Sequence, residues 1–246
     1  MSWYTVHVIL IYGEKAMQSR YMLKLRAKQI LVSVKPSPLF AGMMLTAVSF
    51  LIYIFQYSTG GNTYAELINS GVRDTAKLSE ALVADLTGNT GALILRIVFL
   101  LLNAYISFGL VCYSFRLSSG DTAVPLQEMF PPLLSFLKFF LLSVIITAAV
   151  AVGAMFFIVP GIILALCYSQ AKYIMLDHPE MSVIQCLTAS RKLMRGHLGE
   201  YFVLVLSFIG WNILTSISVI TGIWTFPYTG ITMALYYRDI SAVIIV

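Results

Sequence analysis

Charged residues are scarce in this chain, and that scarcity excludes most soluble folds. Only 11% of the 246 residues are Asp, Glu, Lys or Arg, whereas about a quarter is typical of soluble domains. Hydrophobic residues make up 59% of the chain, and the mean hydropathy is +0.86. A water-soluble fold could not bury so much apolar surface, so the sequence predicts an all-α polytopic protein whose solvent is the bilayer.

Cysteine is also rare, which argues against sites that depend on it. Cys112, Cys167 and Cys186 form no CxxC pair, and two of them lie inside apolar segments. This spacing argues against a disulfide framework and against a structural zinc site. The sequence contains no HExxH or GxSxG motif and no phosphate-binding glycine loop. We therefore predict no catalytic residue, no cofactor and no metal, and we expect a protein that is not an enzyme.

The first sixteen residues do not have the pattern of a targeting signal. The apolar stretch from Trp3 to Tyr12 is too short to span a bilayer and lacks the basic segment of a signal peptide. Codons for residues 13–15 can contain a ribosome-binding sequence, with Met17 at a suitable spacing, so we expect translation to begin at Met17 or Met22. The alternative is a short interfacial segment at residues 1–16. Mass spectrometry of the native N-terminus distinguishes the two, and residues 17–246 form a single membrane domain in both.

Six segments have the length and apolar composition of membrane spans, each needing about 20 residues. Basic residues cluster before the first span and between the fourth and fifth, whereas the outer loop at about 58–91 is acidic. Because basic loops stay in the cytoplasm, both termini are predicted to be cytoplasmic. The predicted spans are about 39–57, 92–115, 133–158, 161–176, 199–217 and 222–237.

Two prolines mark predicted breaks in the spans. Pro160 removes a backbone donor and Gly161 permits a turn, so we interpret the pair as a tight outer hairpin between the third and fourth spans. An interrupted helix at membrane depth is the alternative. Pro227 is expected to kink the sixth span.

A basic amphipathic helix is predicted at about 182–195. Ser182 and Gln185 have the spacing of a capping box, and Gly196 is suited to end the helix. Asp177 and Pro179 are interpreted as helix-capping residues just before it rather than as members of a metal or acid–base site. Its apolar face is expected to comprise Val183, Ile184, Leu187 and Met194.

A second basic amphipathic helix is predicted at about 19–34, and the two define a weak internal repeat. A degenerate third copy at residues 121–130 would form a short surface helix, which gives two or three interfacial helices and three helix–hairpin units. Cations on the two helices are expected to contact anionic lipid headgroups or a protein partner. These cations are Arg20, Lys24, Lys28, Arg191, Lys192 and Arg195.

Three uncharged polar residues, Asn103, Gln170 and Asn212, lie within the predicted spans. Hydrogen bonding between helices, worth about 0.6–2 kcal/mol, is the preferred role for such groups. The alternative is that the three line a cavity for a substrate. The spans contain no Asp or Glu near their middle, which weakens the case for an ion-coupled carrier.

Residues 156–240 resemble a bacterial integral membrane family, domain of unknown function 975. The resemblance rests on VPGI at 159–162, LDHP at 176–179, ASRKLMRGH at 189–197, LSFIGW at 206–211, FPY at 226–228 and YYRDI at 236–240. His178 and Gln185 stand where the family pattern has Asn and Glu. The resemblance implies a six-span protein of the bacterial cytoplasmic membrane, and it implies no established activity.

These features together favour a protein that acts by interaction. We expect a scaffold or accessory subunit, or a protective role in peptide immunity or envelope stress, with anionic lipids, a protein or a second copy as partner. The net charge of +5 is assigned to lipid rather than nucleic acid, because the cations adjoin apolar spans. The alternative function is a small-molecule transporter or flippase.

Overall fold

The regular structure is helical throughout the residues that the structure describes, which confirms the predicted all-α class. A computed structural model describes residues 19–34, 37–58, 67, 69–71, 74–87, 90–120 and 124–244. The predictions for residues 1–16 and for Met17 lie outside the described residues. The helices are α1 (Arg20–Ser33), α2 (Leu39–Ser58), α3 (Thr75–Thr87), α4 (Thr90–Leu117), α5 (Leu133–Phe156), α6 (Ile158–Tyr168), α7 (Ala171–Asp177), α8 (Val183–Leu193), α9 (Leu198–Leu206), α10 (Ile209–Ile217) and α11 (Gly222–Ile244), with 3₁₀ turns at Leu126–Met129 and Val219–Thr221.

Four helical segments of the described chain are long and apolar enough to cross a membrane, which indicates a membrane protein. They are Leu93–Leu117, Leu133–Phe156, Ile158–Asp177 and Leu198–Ile217. Within α2, Leu39–Phe55 is a shorter apolar helix. Helix α11, the predicted sixth span, is not among the four, and it carries Arg238 and Asp239 near its end. The finer count of six spans and the internal repeat therefore do not follow from these helices alone.

Two of the four candidate spans consist of paired helices. Residues Ser169 and Gln170 separate α6 from α7, and Ser207 and Phe208 separate α9 from α10. The Ser169 N–H bonds the Leu166 carbonyl and the Phe208 N–H bonds the Val205 carbonyl, so the backbone tightens to three-residue spacing at both places. Both serine hydroxyls also donate to carbonyls three residues back, which satisfies the acceptors exposed by each break.

The prediction of a turn at Pro160 and Gly161 is wrong. The chain reverses at Phe157, whose backbone is extended, and α6 already begins at Ile158. Pro160 therefore lies in the first turn of α6, where a helix does not need its backbone donor. Gly161 instead packs against α5, since a Cβ placed on it would lie only 2.9 Å from the Ala154 Cβ.

Helix α11 is largely enclosed by other helices of the described structure. It packs against α1, α2 and α4, and residues 231–237 are all buried. The helix runs through Pro227, which cannot donate to the Ile223 carbonyl one turn earlier. Gly42 of α2 covers that carbonyl so closely that a Cβ on Gly42 would overlap its oxygen. The Ile223 carbonyl, which has no helical donor because of Pro227, is therefore enclosed by the packing of α2 against α11.

Two short elements occupy regions predicted as connections. Helix α3 lies within the predicted outer loop and begins after Asp74, whose carboxylate accepts the Ala76 N–H at 3.0 Å. This is the bond expected of a helix-capping Asp. The region predicted as a short surface helix holds the 3₁₀ turn Leu126–Met129, while residues 121–123 lie outside the described part.

Burial divides the described helices into two regions. We call the first the packed end: residues 106–117 of α4, α7, and residues 228–240 of α11, where most side chains are buried. We call the second the apolar end: residues 94–102 of α4, residues 155–159 at the turn between α5 and α6, and α10. Large apolar side chains at the apolar end are mostly exposed, and α10 has no buried residue. The polar contacts described next lie at the packed end.

Candidate functional site

Two neighbouring tyrosines of α11 tie the packed end to the elements before and after α8. Tyr237 donates its hydroxyl to the Asp177 carboxylate at the end of α7, over 2.9 Å. Tyr236 donates to the backbone carbonyl of His197, just before α9, over 3.3 Å. Both rings are buried, so each hydroxyl needs such a partner. Asp177, predicted as a helix-capping residue, is instead the last residue of α7, and its carboxylate binds a distant helix.

Arg238, the next residue of α11, ties that helix to the end of α4. Its Nε donates to the Ser118 hydroxyl at 2.7 Å, and its Nη2 donates to the Ser119 hydroxyl and the Phe115 carbonyl. The guanidinium also lies 4.5 Å from the centroid of the Phe115 ring. A planar guanidinium can combine hydrogen bonds with stacking on an aromatic face, which a lysine could not reproduce.

A cavity of about 690 Å³ opens beside these contacts. It lies between the end of α4, the 3₁₀ turn Leu126–Met129, the start of α5 and the end of α7. The buried side chains that line it are apolar, whereas the charged side chains that line it are exposed or half-buried. The charged lining residues are Arg116, Glu128, Lys138, Asp177 and Arg238.

The charges around the cavity are unequally matched. Arg116 and Glu128 form an ion pair at 3.6 Å, and Asp177 accepts the Tyr237 hydroxyl. Lys138, near the start of α5, donates to the neutral carbonyl of Pro179 at 3.1 Å. Within the described residues, neither Lys138 nor Arg238 forms an ion pair with a carboxylate. Among the described lining residues, three cations therefore face two carboxylates, which leaves the cavity with a net positive charge.

Both halves of the predicted capping box are present at the start of α8. The Ser182 hydroxyl accepts the Gln185 N–H at 3.4 Å, and the Gln185 side chain accepts the Ser182 N–H at 2.8 Å. Helix α8 ends at Leu193, two residues earlier than predicted. Gly196 has φ +85°, a left-handed conformation that favours glycine in the turn toward α9.

The predicted apolar face of α8 is partly wrong. Ile184 is 71% exposed, whereas Cys186, Ser190 and Met194 are fully buried. Ser190 can be buried because its hydroxyl donates to the Cys167 carbonyl at the end of α6, over 2.7 Å. The pKa of the Cys186 thiol is raised, mainly by burial, although the positive charge of nearby Lys138 acts to lower it. The hydropathy pattern did not predict this buried face because Ser190, at its centre, is polar.

The cations predicted to contact lipid lie mainly on exposed surface of α1 and α8. Lys24 is the exception, because it is half-buried and its ammonium lies 4.7 Å from the centroid of the Phe208 ring. Burial, together with repulsion from Lys28 and Arg20, lowers the pKa of Lys24. The exposed members are Arg20, Lys28, Arg191, Lys192 and Arg195.

The structure does not bring Asn103, Gln170 and Asn212 together. Asn103 donates to Ser49 of α2 at 3.0 Å, and Gln170 is buried and donates to Ser169 at 3.0 Å. Asn212 lies on the exposed helix α10. None of the three lines the cavity at the packed end. Asn103 has the interhelical role that the sequence favoured, and no contact joins the three side chains within the described part of the chain.

The remaining titratable cluster is small and exposed. His178 Nδ1 lies 3.3 Å from the Glu180 carboxylate, and both side chains are exposed. Among the described residues, no three His, Cys, Asp or Glu side chains come close enough to hold a metal ion. Sequence reasoning missed Arg238, Ser118 and the cavity. The available signal was a charged pair, Arg238-Asp239, at the end of an otherwise apolar helix.

The C-terminal part of the chain matches a known protein family. Residues 150–243 match the family model described as Protein of unknown function (DUF975). This match confirms the resemblance drawn from the motifs. Neither the comparison with curated proteins nor that with solved structures finds a match. Three of the quoted motifs meet at the packed end, since Tyr236 and Tyr237 of YYRDI bond His197 of ASRKLMRGH and Asp177 of LDHP.

Proposed function

We propose that this chain is a non-enzymatic integral protein of the bacterial cytoplasmic membrane with six spans. The spans would be α2, α4, α5, α6 with α7, α9 with α10, and α11. The end of α11 contacts the end of α4 through Arg238, the end of α7 through Tyr237 and the start of α9 through Tyr236. Because helix ends meet both another helix end and a helix start on one side, these contacts support spans that cross the membrane in alternating directions. Both termini and the packed end would then lie on the cytoplasmic side, in agreement with the basic loops.

The proposed role is interaction, as a scaffold or accessory subunit or as a protective protein. The carrying observation is the exposed basic surface of α8, with Arg191, Lys192 and Arg195 close in sequence to His197, which Tyr236 binds. Exposed cations beside apolar helices attract anionic headgroups by about 1 kcal/mol each. The partners would be anionic lipids and a protein or a second copy bound at this surface. The polar side chains at the packed end mostly join helix ends, which favours a structural rather than a catalytic use.

Topology is tested with single cysteines in a background that lacks Cys112, Cys167 and Cys186. A cysteine replacing Ser119 should react with a membrane-impermeant maleimide only after cells are opened. A cysteine replacing Ile220, which is exposed at the turn before α11, should react in intact cells. The reverse pattern would exclude the proposed orientation, and extraction of the protein by alkaline carbonate would exclude an integral membrane protein.

Interaction is tested by crosslinking in native membranes followed by purification in mild detergent. A specific partner should be recovered with the natural chain and lost when Arg191, Lys192 and Arg195 are all replaced by Gln. Lys77→Gln, an exposed cation on α3, is the matched control and should change nothing. Equal recovery from the triple variant, or no specific partner together with unchanged peptide and envelope-stress sensitivity in a deletion strain, would overturn the proposed role.

A further inference from the structure

We infer that the cavity at the packed end binds one anionic phospholipid, with its phosphate at Lys138 and Arg238 and an acyl chain along Phe130 and Leu134. The volume of about 690 Å³ lies within the range of about 300–1,000 Å³ that is usual for small-ligand sites. The cavity combines an apolar wall with a cationic opening. An amphiphile with a negative headgroup matches both parts.

The opening retains hydrogen-bond donors for a phosphate. The bonds of Arg238 to described residues use Nε and Nη2, which leaves the two donors of Nη1. Lys138 gives one of its three N–H donors to the Pro179 carbonyl, which leaves two. The two cations line the same cavity, and neither is neutralised by a carboxylate of the described chain. A phosphate would supply the missing negative charge.

The apolar wall offers a route from the bilayer into the cavity. Phe108 and Cys112 form its inner part and are buried, whereas Phe130 is 52% and Leu134 is 74% exposed. A wall that passes from buried to exposed apolar side chains suits a chain that remains partly in lipid. A soluble anion such as inorganic phosphate would use only the cationic opening and would leave the apolar wall without a ligand group to bury it. The structure therefore favours a lipid over a free anion.

The inference rests on the proposed membrane placement, and the test keeps the two separate. Protein purified in mild detergent and stripped of lipid is titrated with phosphatidylglycerol, which is anionic, and with phosphatidylcholine, which is zwitterionic. Native mass spectrometry counts the lipids retained. One phosphatidylglycerol should bind in preference, and Lys138→Gln should weaken its binding about fivefold, which is the effect of removing about 1 kcal/mol.

Matched variants distinguish the cavity from general attraction to basic surface. Lys77→Gln removes an exposed cation of α3 that lies outside both this cavity and the basic surface of α8, and it should leave the affinity unchanged. Lys138→Arg should restore binding, and Leu134→Glu, which places a negative charge on the wall, should abolish it. Melting temperatures of all variants are compared to show that each is folded.

Several results would overturn the inference. They are equal binding of the two lipids, equal losses in Lys138→Gln and Lys77→Gln, or displacement of the lipid by millimolar inorganic phosphate, which would indicate a site for a free anion. If the protein stays in membranes after alkaline carbonate treatment and any of these results is found, only the lipid site fails. If carbonate releases the protein, the membrane placement fails first.

Discussion

Helix α4 passes through two different surroundings, and its side chains change exposure near the middle. Side chains from Ile94 to Leu102 are mostly exposed, whereas Phe108, Tyr113 and Leu117 are almost fully buried. Both halves are apolar, so composition does not explain the difference. The buried half contacts the 3₁₀ turn at Gly109 and α11 at Phe115, whereas the exposed half contacts α2 through the rings of Phe99 and Phe55. The same kind of sequence therefore serves protein packing at one end and an apolar solvent at the other.

The two regions also differ in how their polar groups are used. At the packed end, hydroxyls and charged groups from different helices bond one another, as in the pair Tyr237–Asp177 and the contacts of Arg238. At the apolar end, hydroxyls mostly return to their own helix, as Thr215 does to the Trp211 carbonyl. Since lipid cannot satisfy backbone or side-chain donors, this local bonding suits exposure to hydrocarbon. The comparison predicts that matched substitutions will affect stability only at the packed end.

The largest difference is expected between two glycines. Gly109 lies in the buried half of α4 so close to the 3₁₀ turn that a Cβ would overlap the Met129 carbonyl oxygen. Gly109→Ala must separate these backbones and should reduce the free energy of unfolding by about 3 kcal/mol, the upper part of the usual range for overpacking. Thermal unfolding in detergent, followed by circular dichroism, measures the change.

Gly210 is the matched control for that substitution. It lies in α10, and a Cβ on it would have no neighbour within 4 Å. Gly210→Ala should be neutral or should stabilise the helix by up to about 1 kcal/mol, because alanine has the higher helix propensity. Similar losses in both variants would show that α10 is packed against protein and would remove the proposed difference between the two ends.

The sequence predicted features that depend on near neighbours in the chain. The bounds of α1, the capping box at Ser182 and the start of α2 follow from local spacing and hydropathy, which act through residues three or four apart. The place of Pro160 was missed because the rule for proline allows both a turn and the first turn of a helix. Phe157 could not be recognised as the reversal point, since nothing in the side chain demands an extended backbone.

The contacts of the packed end could not be predicted for a different reason. Asp177 and Tyr237 are 60 residues apart, and Arg238 and Ser118 are 120 apart. Hydropathy describes each helix separately and contains no information on which helices meet. The motifs LDHP and YYRDI were recognised as family features, but their meeting at one place is a property of the fold. Likewise, the cavity is formed by residues of five elements and has no local signature.

A hydrogen bond across the packed end should have the next largest effect. Tyr237 donates to an Asp177 carboxylate at 2.9 Å, and bonds to charged groups contribute about 1.5–3 kcal/mol. We expect Tyr237→Phe and Asp177→Asn each to lower stability, with a coupling energy of about 1.5 kcal/mol in a double-mutant cycle. Tyr53→Phe, at an exposed tyrosine of α2, should change stability by less than about 0.5 kcal/mol. Additive effects of the two packed-end variants would refute the bond.

The capping box of α8 should give a smaller effect, because it stabilises one short helix. Ser182→Ala removes the acceptor for the Gln185 N–H and should cost about 1 kcal/mol. The loss should appear in hydrogen exchange of the first turn of α8 as well as in global unfolding. Thr188→Ala, in the exposed middle of the same helix, should not destabilise it. If exchange increases equally in both variants, the cap does not hold the start of α8.

The smallest effect concerns Lys24, where two forces of opposite sign meet. Burial, with repulsion from Lys28 and Arg20, lowers the pKa in the folded state below the ordinary value of 10.5. Between those two pKa values the unfolded chain binds more protons, so this side chain makes stability rise as pH increases from neutral toward 10.5. Lys24→Gln should therefore raise the melting temperature near pH 7, and the gain should shrink as the pH rises.

Lys192→Gln, which removes an exposed cation of α8, is the control for the loss of one positive charge. The opposing force is the contact of the Lys24 ammonium with the Phe208 ring, 4.7 Å from its centroid, which favours the charged form. If that contact is stronger than the effect of burial, Lys24→Gln will lower the melting temperature at neutral pH. This loss, rather than a gain, will then become smaller as the pH rises. The sign of the change in melting temperature at neutral pH thus decides whether burial or the Phe208 ring has the larger effect on the charge of Lys24.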